Sequence, residues 1–487
     1  MRITENQIDS IVDRVVSQLG GGQEPTPLPT AVLATGPKVP STQKVPLPPM
    51  SGVLGVFPDI DSAVVAAEKA FHEFQTVSLE KRKKIISAIR TILHENIQQL
   101  SRLGQDETGL GRYEDKIVKN RLAIDKTPGV EDIEPRAFQG DDGLTTEELA
   151  PFGVIGSITP CTNPSETIIC NGIGMIAGGN TVTFNPHPTA KKVSALTINL
   201  MNKAVLSEGG PANLFTTISS PTIESAQQLM THKRVRLLVV TGGPAVVKAA
   251  MASGKRVVAA GPGNPPVVVD ETADIDSAAK HIVTSASTDN NIICVVEKEI
   301  IVVDSVADQL KKCMIKYGAV ELGAHQARRL QQVILDHEGH TIKEYVGKDV
   351  QVILRAIGLD VDPSKRLAFT ETAADHPFAT TELLMPVVPL IRVRNIDQAI
   401  ELAYELEKKC FHTAVIHSKN IENMHKMAKR MNTSIFVKNG PALAGLGLGG
   451  EGPTSFTIAS PTGEGLTRPR SFCRIRRCVL KGYFGTP

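Results

Sequence analysis

Apolar residues recur at helical spacing in the first twenty positions. Ile8, Ile11, Val12, Val15, Val16 and Leu19 form one face, with Glu5, Asp9, Asp13, Arg14 and Gln18 between them. Thr4 and Gln7 have the spacing of a capping box, and Gly20, Gly21 and Gly22 stop the pattern. The pattern predicts an amphipathic helix over residues 1–20. From 21 to 50 the periodicity vanishes: the stretch holds eight prolines and no aromatic residue, and it reads as an extended Pro/Gly-rich linker. A lone short amphipathic helix is marginal in water, so its apolar face needs a partner. That partner is either a docking target or the helix's own body or sister subunit.

From Ser51 the pattern alternates between two periods. Residues 61–76 and 78–103 read as amphipathic helices. β-rich runs follow at 153–159, 180–184, 214–218 and 236–240, with helical stretches at 166–177, 190–206 and 223–230. A second set of strands is expected at 266–270, 299–303, 412–416 and 434–437. Strands alternating with helices predict an α/β fold in two lobes with a cleft between them.

Composition narrows function more than fold. The 487 residues suffice for several domains, and 41% hydrophobic with 21% charged residues excludes bulk disorder. No apolar run approaches the roughly 18 residues of a membrane span and no signal-peptide core follows the N-terminus, so the chain reads as cytoplasmic, with no membrane partner. The 53 basic and 51 acidic residues leave a net charge of +2, which advertises no nucleic acid partner. Seven cysteines without a secretion signal argue for reduced thiols and leave room for a reactive one.

Three stretches could carry chemistry. In residues 239–247 an apolar strand runs through Thr241, Gly242 and Gly243 into Pro244. Glycines allow close approach of a ligand, and a helix N-terminus offers free N–H groups to phosphate. The G-x-G-x-x-G fingerprint is absent, so taken alone the stretch reads first as a tight strand-to-helix turn. Gly261-Pro-Gly-Asn-Pro-Pro266, with Pro262, is a second rigid loop that could be only a turn. Cys294 lies between the amide-rich Asp289-Asn-Asn291 and an apolar run; it is either a buried structural thiol or a nucleophile. Cys161, Cys473 and Cys478 are weaker candidates, and the spacings 161/170 and 473/478 lack the partners of a zinc site.

Pro151-Phe-Gly-Val-Ile-Gly-Ser-Ile-Thr-Pro-Cys-Thr-Asn-Pro164, Ala177-Gly-Gly-Asn180, Asn185-Pro-His-Pro188, Thr241-Gly-Gly243, the Cys294 segment, Glu382-Leu-Leu-Met-Pro386 and Gly449-Gly-Glu-Gly452 follow one another in a familiar order. Order and spacing resemble the aldehyde dehydrogenase superfamily over nearly all of 51–487. Thr127-Pro-Gly-Val-Glu-Asp132, together with 434–440, 461–465 and 474–479, is similar to the CoA-acylating propionaldehyde and acetaldehyde dehydrogenases of bacterial microcompartments. The resemblance implies a Rossmann-type cofactor domain (51–135 and 151–265), an α/β catalytic domain (266–459) and a small oligomerisation arm (136–150 and 460–487). It also implies NAD-dependent oxidation of a short aldehyde, propionaldehyde ahead of acetaldehyde, with coenzyme A as acyl acceptor.

On the same resemblance, Cys294 attacks the aldehyde, and the Asn163 amide and the Cys294 N–H hold the oxyanion. Hydride leaves for NAD, and a thioester remains on Cys294. Pro160, Asn185, His187, Thr241, Gly242, Gly243, Pro262 and Glu382 fall at cofactor-binding positions. Glu382 matches a carboxylate that contacts the nicotinamide-side ribose, whereas Asn185-Pro-His187 departs from the usual K-P-S. Hydrolytic members carry a glutamate in E-L-G-G-K; here 258–264 places Ala259 or Ala260 at that position. Loss of such a base commonly slows water attack about 10²–10⁴-fold, which favours transfer to the more acidic CoA thiol. His412 matches a histidine that could act as base toward Cys294 or CoA. The tethered helix at 1–20 resembles a peptide that docks on a microcompartment shell protein, which would place the enzyme in the lumen. The basic tail 468–481 resembles the strand through which the family forms dimers or tetramers. The competing readings are a hydrolytic aldehyde dehydrogenase and a catalytically silent scaffold.

Overall fold

The computed structural model describes residues 53–485. The helix expected at 1–20 and the linker at 21–50 lie outside them. Two parallel sheets organise the described residues, as the alternating pattern predicts. The first has six strands in the spatial order Val56–Phe57, Phe215–Ile218, Thr181–Pro186, Val154–Thr159, Val235–Thr241, Arg256–Ala260. Helices on its faces leave Val154–Thr159 and Thr181–Pro186 buried throughout, which is why these strands read as apolar runs rather than alternations. After the edge strand Val56–Phe57, the chain re-enters the sheet at Val154–Thr159, winds outward through Thr181–Pro186 to Phe215–Ile218, then crosses back to Val235–Thr241. The crevice between Val154–Thr159 and Val235–Thr241, at their carboxyl ends, is therefore the topological switch point where such sheets bind ligands.

The second sheet has seven strands, ordered Ala319–Glu321, Leu367–Glu371, Val387–Val393, Glu299–Val303, Pro266–Val269, Thr413–His417, Ile435–Lys438, again parallel. Residues 261–265 join the end of Arg256–Ala260 to the start of Pro266–Val269. The carboxyl end of one sheet thus leads within five residues to the amino end of the other. One apolar core holds both sheets, with Ile155, Val182 and Val239 from the first and Val267, Ile300 and Val415 from the second.

A three-stranded antiparallel sheet of Arg136–Gly140, Gly143–Pro151 and Cys473–Lys481 stands apart from both. Phe138, Val479 and Ile475 are 52%, 64% and 72% exposed there. Phe138 and Val479 both pair with Thr145, so they share a face across the strands.

Two helices differ from the sequence pattern. The stretch 78–103 is two helices, Leu79–Glu95 and Ile97–Thr108, because Asn96 Nδ2 bonds back to the Ile92 carbonyl (2.7 Å) and interrupts the run. Tyr113–Lys126 is a helix the pattern does not announce, since its buried face carries Lys116, Lys119 and Asn120.

Candidate active site

Cys294 follows an unusual turn. After the helix Ile275–Ser287, Asp289, Asn290 and Asn291 take φ values of 47°, 55° and 65°. Asn and Asp tolerate this left-handed region best, but three in succession require outside support. The Asp289 N–H donates to Asp115 (2.8 Å), Asn290 Nδ2 to the Gly347 carbonyl (2.9 Å), and Asn291 Nδ2 to the Ala286 carbonyl (2.7 Å). Lys298 Nζ closes the turn by donating to the carbonyl and side-chain oxygens of Asn291 (2.6 and 2.7 Å).

Four loops meet at the amino ends of four adjacent strands of the second sheet. The segment before Glu299–Val303 carries Cys294 and Lys298; that before Pro266–Val269 carries Gly263 and Asn264. The segment before Thr413–His417 carries His412, and that before Val387–Val393 carries Glu382. The contacts at Gly263 show how closely they converge. A Cβ on Gly263 would lie 2.8 Å from the Cys294 carbonyl oxygen and 2.9 Å from His412 Cγ. The Gly263 N–H donates to Glu382. Asn264 Nδ2 donates to Glu299 Oε1 (2.8 Å) and the Leu406 carbonyl (2.9 Å), fixing the loop from behind. His412 is anchored by its N–H on Glu407 (2.7 Å) and by Nδ1 against Thr413 Oγ1 (2.9 Å), while Nε2 is buried without a hydrogen-bond partner.

Asn163 comes from the first sheet, four residues after Val154–Thr159 ends. It occupies the N-cap of the helix Pro164–Ala177, yet its side chain makes no cap bond. An Asn at this position normally spends its side-chain oxygen on the helix. Here Oδ1 accepts from Lys119 Nζ (2.7 Å), and Nδ2 faces Thr162 Oγ1 (3.2 Å) with a second N–H to give. Lys119 Nζ also pairs with Glu166 (3.2 Å) and Asp289 (2.5 Å), and Lys116 pairs with Asp289 (3.2 Å); all four side chains are buried. Burial opposes the Lys119 charge, but Asp289 and Glu166 outweigh it and hold its pKa above the ordinary lysine value.

On the cofactor side, Thr241 ends its strand with Oγ1 against Thr457 Oγ1 (2.8 Å). Gly242 and Gly243 then open the helix Pro244–Met251, whose first turn receives no side-chain cap. A Cβ on Gly243 would meet nothing within 4 Å. A helix start with no side-chain cap and open space over Gly243, beside the switch point, fits a phosphate-bearing cofactor. Pro160 lies at that crevice, directly after Thr159, and Pro262 lies in the connection between Arg256–Ala260 and Pro266–Val269, next to Gly263. Asn185 and His187 are engaged internally. Asn185 Oδ1 accepts from Ser225 Oγ (2.6 Å), and His187 Nδ1 caps the turn at Thr189 (3.3 Å to its N–H).

Burial dominates the titrations. It pushes the Cys294 thiol up to about 12, reinforced by Glu382 and opposed by Lys298 and Lys119, although part of the residue's surface stays open to solvent. Burial, helped by Lys298, pushes His412 down to about 4. Thiol and imidazole are both neutral at rest, so no thiolate–imidazolium pair waits in the site. Glu382 is raised by burial, against the pull of Lys298. Ala259 and Ala260 are buried at the end of their strand and offer no group that could activate water.

The sequence assigns no site role to Lys119, Asp289, Lys298, Gly263 or Asn264. One signal was present: Lys116, Lys119 and Asn120 have helical i, i+3, i+4 spacing, a polar stripe on a face that the fold buries. Among the described residues no group of three His, Cys, Asp or Glu side chains is placed to hold a metal, and no helix is long and apolar enough to cross a membrane.

The aldehyde dehydrogenase family description matches residues 56–455. Acetaldehyde dehydrogenase (acetylating) EutE of Salmonella typhimurium is 52% identical over 437 residues, spanning 88% of this chain and 93% of the relative. The crystal structure of Rhodopseudomonas palustris propionaldehyde dehydrogenase with bound CoA and an acylated cysteine is similar with a TM-score of 0.88 at 48% identity, over 89% of this chain and 99% of that one. The propionaldehyde dehydrogenase from the Clostridium phytofermentans fucose utilisation bacterial microcompartment gives 0.87 at 46% identity, over 88% and 99%; it has also been solved with a histidine and with a cysteine replaced by alanine. The chain belongs to the aldehyde dehydrogenase family.

Proposed function

We propose that this chain oxidises acetaldehyde or propionaldehyde with NAD and transfers the acyl group to CoA. The observation that carries the reading is a cysteine at the convergence of four loops beside a strand end of two alanines. Cys294 Sγ bonds to the aldehyde carbon, and its proton passes to the neutral His412 through Nε2. Asn163 Nδ2 and the Cys294 N–H donate to the oxyanion, with the N-terminus of Pro164–Ala177 adding its dipole. The nicotinamide, when bound, supplies the hydride acceptor that no side chain offers. As the oxyanion collapses, a thioester is left on Cys294. His412 gives its first proton up to solvent; CoA sulfur then bonds to the acyl carbon as its own proton passes to His412, the Cys294–acyl bond breaks, and the departing Cys294 thiolate takes that proton back from His412. Ala259 and Ala260 leave water without a base, so the thioester waits for the thiol.

The Clostridium phytofermentans variants support the pairing of Cys294 with His412. The altered histidine and cysteine of that protein lie 387 − 269 = 118 positions apart, as do His412 and Cys294 (412 − 294 = 118). The two aldehydes differ by one methylene, worth about 1–3 kcal/mol in a pocket. The exposed Phe138, Val479 and Ile475 suit a homo-oligomer, dimer or tetramer. Residues 1–20 serve as the docking helix for a shell protein and place the enzyme in a microcompartment lumen.

The test is NADH formation from propionaldehyde with and without CoA. Turnover that depends on CoA and gives propionyl-CoA is expected; sustained turnover without CoA, giving propionate, overturns the reading. Deleting residues 1–20 should leave turnover intact and abolish co-purification with shells.

A further inference from the structure

The two donors of the oxyanion site come from chain segments far apart in sequence. Asn163 heads a helix of the first lobe, and the Cys294 N–H follows, three residues on, the left-handed turn Asp289–Asn291. One buried ammonium touches both carriers. Lys119 Nζ lies 2.7 Å from Asn163 Oδ1 and 2.5 Å from Asp289 Oδ2, with Glu166 at 3.2 Å and the Thr162 carbonyl at 3.4 Å.

We propose that Lys119 is a positioning residue for acyl chemistry at Cys294, clamping the Asn163 amide and the Asp289 turn in one geometry. The proposal rests on the acyl-transfer reading above. Its physical content has two parts. An ammonium only donates, so it accepts Oδ1 as its sole partner on the amide and turns Nδ2 away, toward the reacting oxygen. Without Lys119 the amide is free to flip, or to return its oxygen to the helix as an ordinary N-cap. The second part is the tie to Asp289. Gly111 lets that carboxylate approach, since a Cβ there would collide with it, and the Arg112 N–H donates to Oδ1 (2.7 Å). Lys116 neutralises the remaining charge, giving two cations and two carboxylates in a closed set. The set is balanced without any ligand, so its cost is not that of a vacant binding site.

Loss of one oxyanion donor costs about 10²–10³-fold in kcat, and K119M should approach that loss with KM for aldehyde and CoA within about threefold. The decisive measurement is a double-mutant cycle. If Lys119 acts through Asn163, then K119M/N163A is no more than about threefold slower than N163A alone. Effects that multiply, or a K119M enzyme within threefold of wild type, overturn the proposal. Because K119M strands a buried carboxylate, K119M/E166Q provides a charge-balanced background for the same cycle, with folding followed by thermal melting. The cycle is read both on aldehyde oxidation and on the burst of p-nitrophenol released as p-nitrophenyl acetate acylates Cys294, a step that needs neither NAD nor CoA. A wild type that acylates but does not oxidise aldehydes sinks the function proposed above, and the burst cycle still decides Lys119.

Discussion

Gly263 lies where the loops around Cys294 crowd together, and G263A tests whether that convergence sets the rate. The added Cβ would lie 2.8 Å from the Cys294 carbonyl oxygen and 2.9 and 3.1 Å from His412 Cγ and Nδ1. An ordinary carbon contact begins at about 3.4 Å, so the intrusion is roughly 0.6 Å on the first of these. Neither neighbour yields cheaply. The carbonyl belongs to the turn held by Lys298 and Asn291, and the imidazole is fixed through Glu407 and Thr413. Overpacking of this kind costs about 1–3 kcal/mol of stability. A displacement of about 1 Å at a reacting group can cost 10²-fold in rate, so G263A should lose about 10- to 100-fold in kcat. The assay is NADH formation at saturating propionaldehyde and CoA, with thermal melting alongside. G243A is the control for folding, because its Cβ meets nothing within 4 Å, and its melting temperature should match wild type. A G263A enzyme within twofold of wild-type kcat refutes the idea that the loops around Gly263 are rigid and rate-setting.

Burial raises the Glu297 carboxyl to about 7; the folded protein therefore keeps a proton that the unfolded chain releases above about 4.5, and stability falls as pH rises through 4.5–7, by about 3 kcal/mol in full. E297Q should melt above wild type at pH 8 and level with it at pH 4.5, and equal shifts at both values would rule the mechanism out. In G111A the new Cβ collides with the Asp289 carboxylate at a φ of 72°; separation of Asp289 from its lysines should cost about 3–5 kcal/mol, read by denaturant unfolding, and a loss below 1 kcal/mol contradicts it. The pair I475D/V479D should shift the mass measured by light scattering toward monomer while changing the monomer's intrinsic stability by under about 0.5 kcal/mol, since both side chains are exposed; an unchanged mass removes this face from the oligomer interface.

The strands were the most legible part of the fold. Val154–Thr159, Val235–Thr241 and Glu299–Val303 are buried elements of parallel sheets, and burial on both faces leaves an apolar run that sequence shows directly. The order of the strands was not legible, because pairing depends on which edges meet and not on any local run. Cys294, Asn163 and His412 stood out through the company their motifs keep. Asn185 and His187 stood out for the same reason, and their side-chain bonds to Ser225 and Thr189 are contacts no motif reveals. Lys119 was hidden differently. Its acidic partner Asp289 is 289 − 119 = 170 positions away, and a lysine on an unannounced helix looks like a solvated charge until the fold buries it.

The acids and bases around Cys294 share one trait that separates them from the Lys119–Asp289 pair. Cys294, His412, Glu382, Glu297 and Glu299 are all shifted toward their neutral forms by burial, whereas Asp289 and Lys119 are held in their charged forms by each other. A neutral reacting centre costs little to bury and exchanges protons only when substrate arrives. A permanently charged clamp is costly to bury but does not titrate, so its geometry is the same at every working pH. The division of labour follows: groups that must change protonation sit at the amino ends of the second sheet, and the group that must not change sits behind Asn163. Replacing a titratable group of the first set should alter pH dependence, and removing charge from the second should alter kcat at all pH values alike.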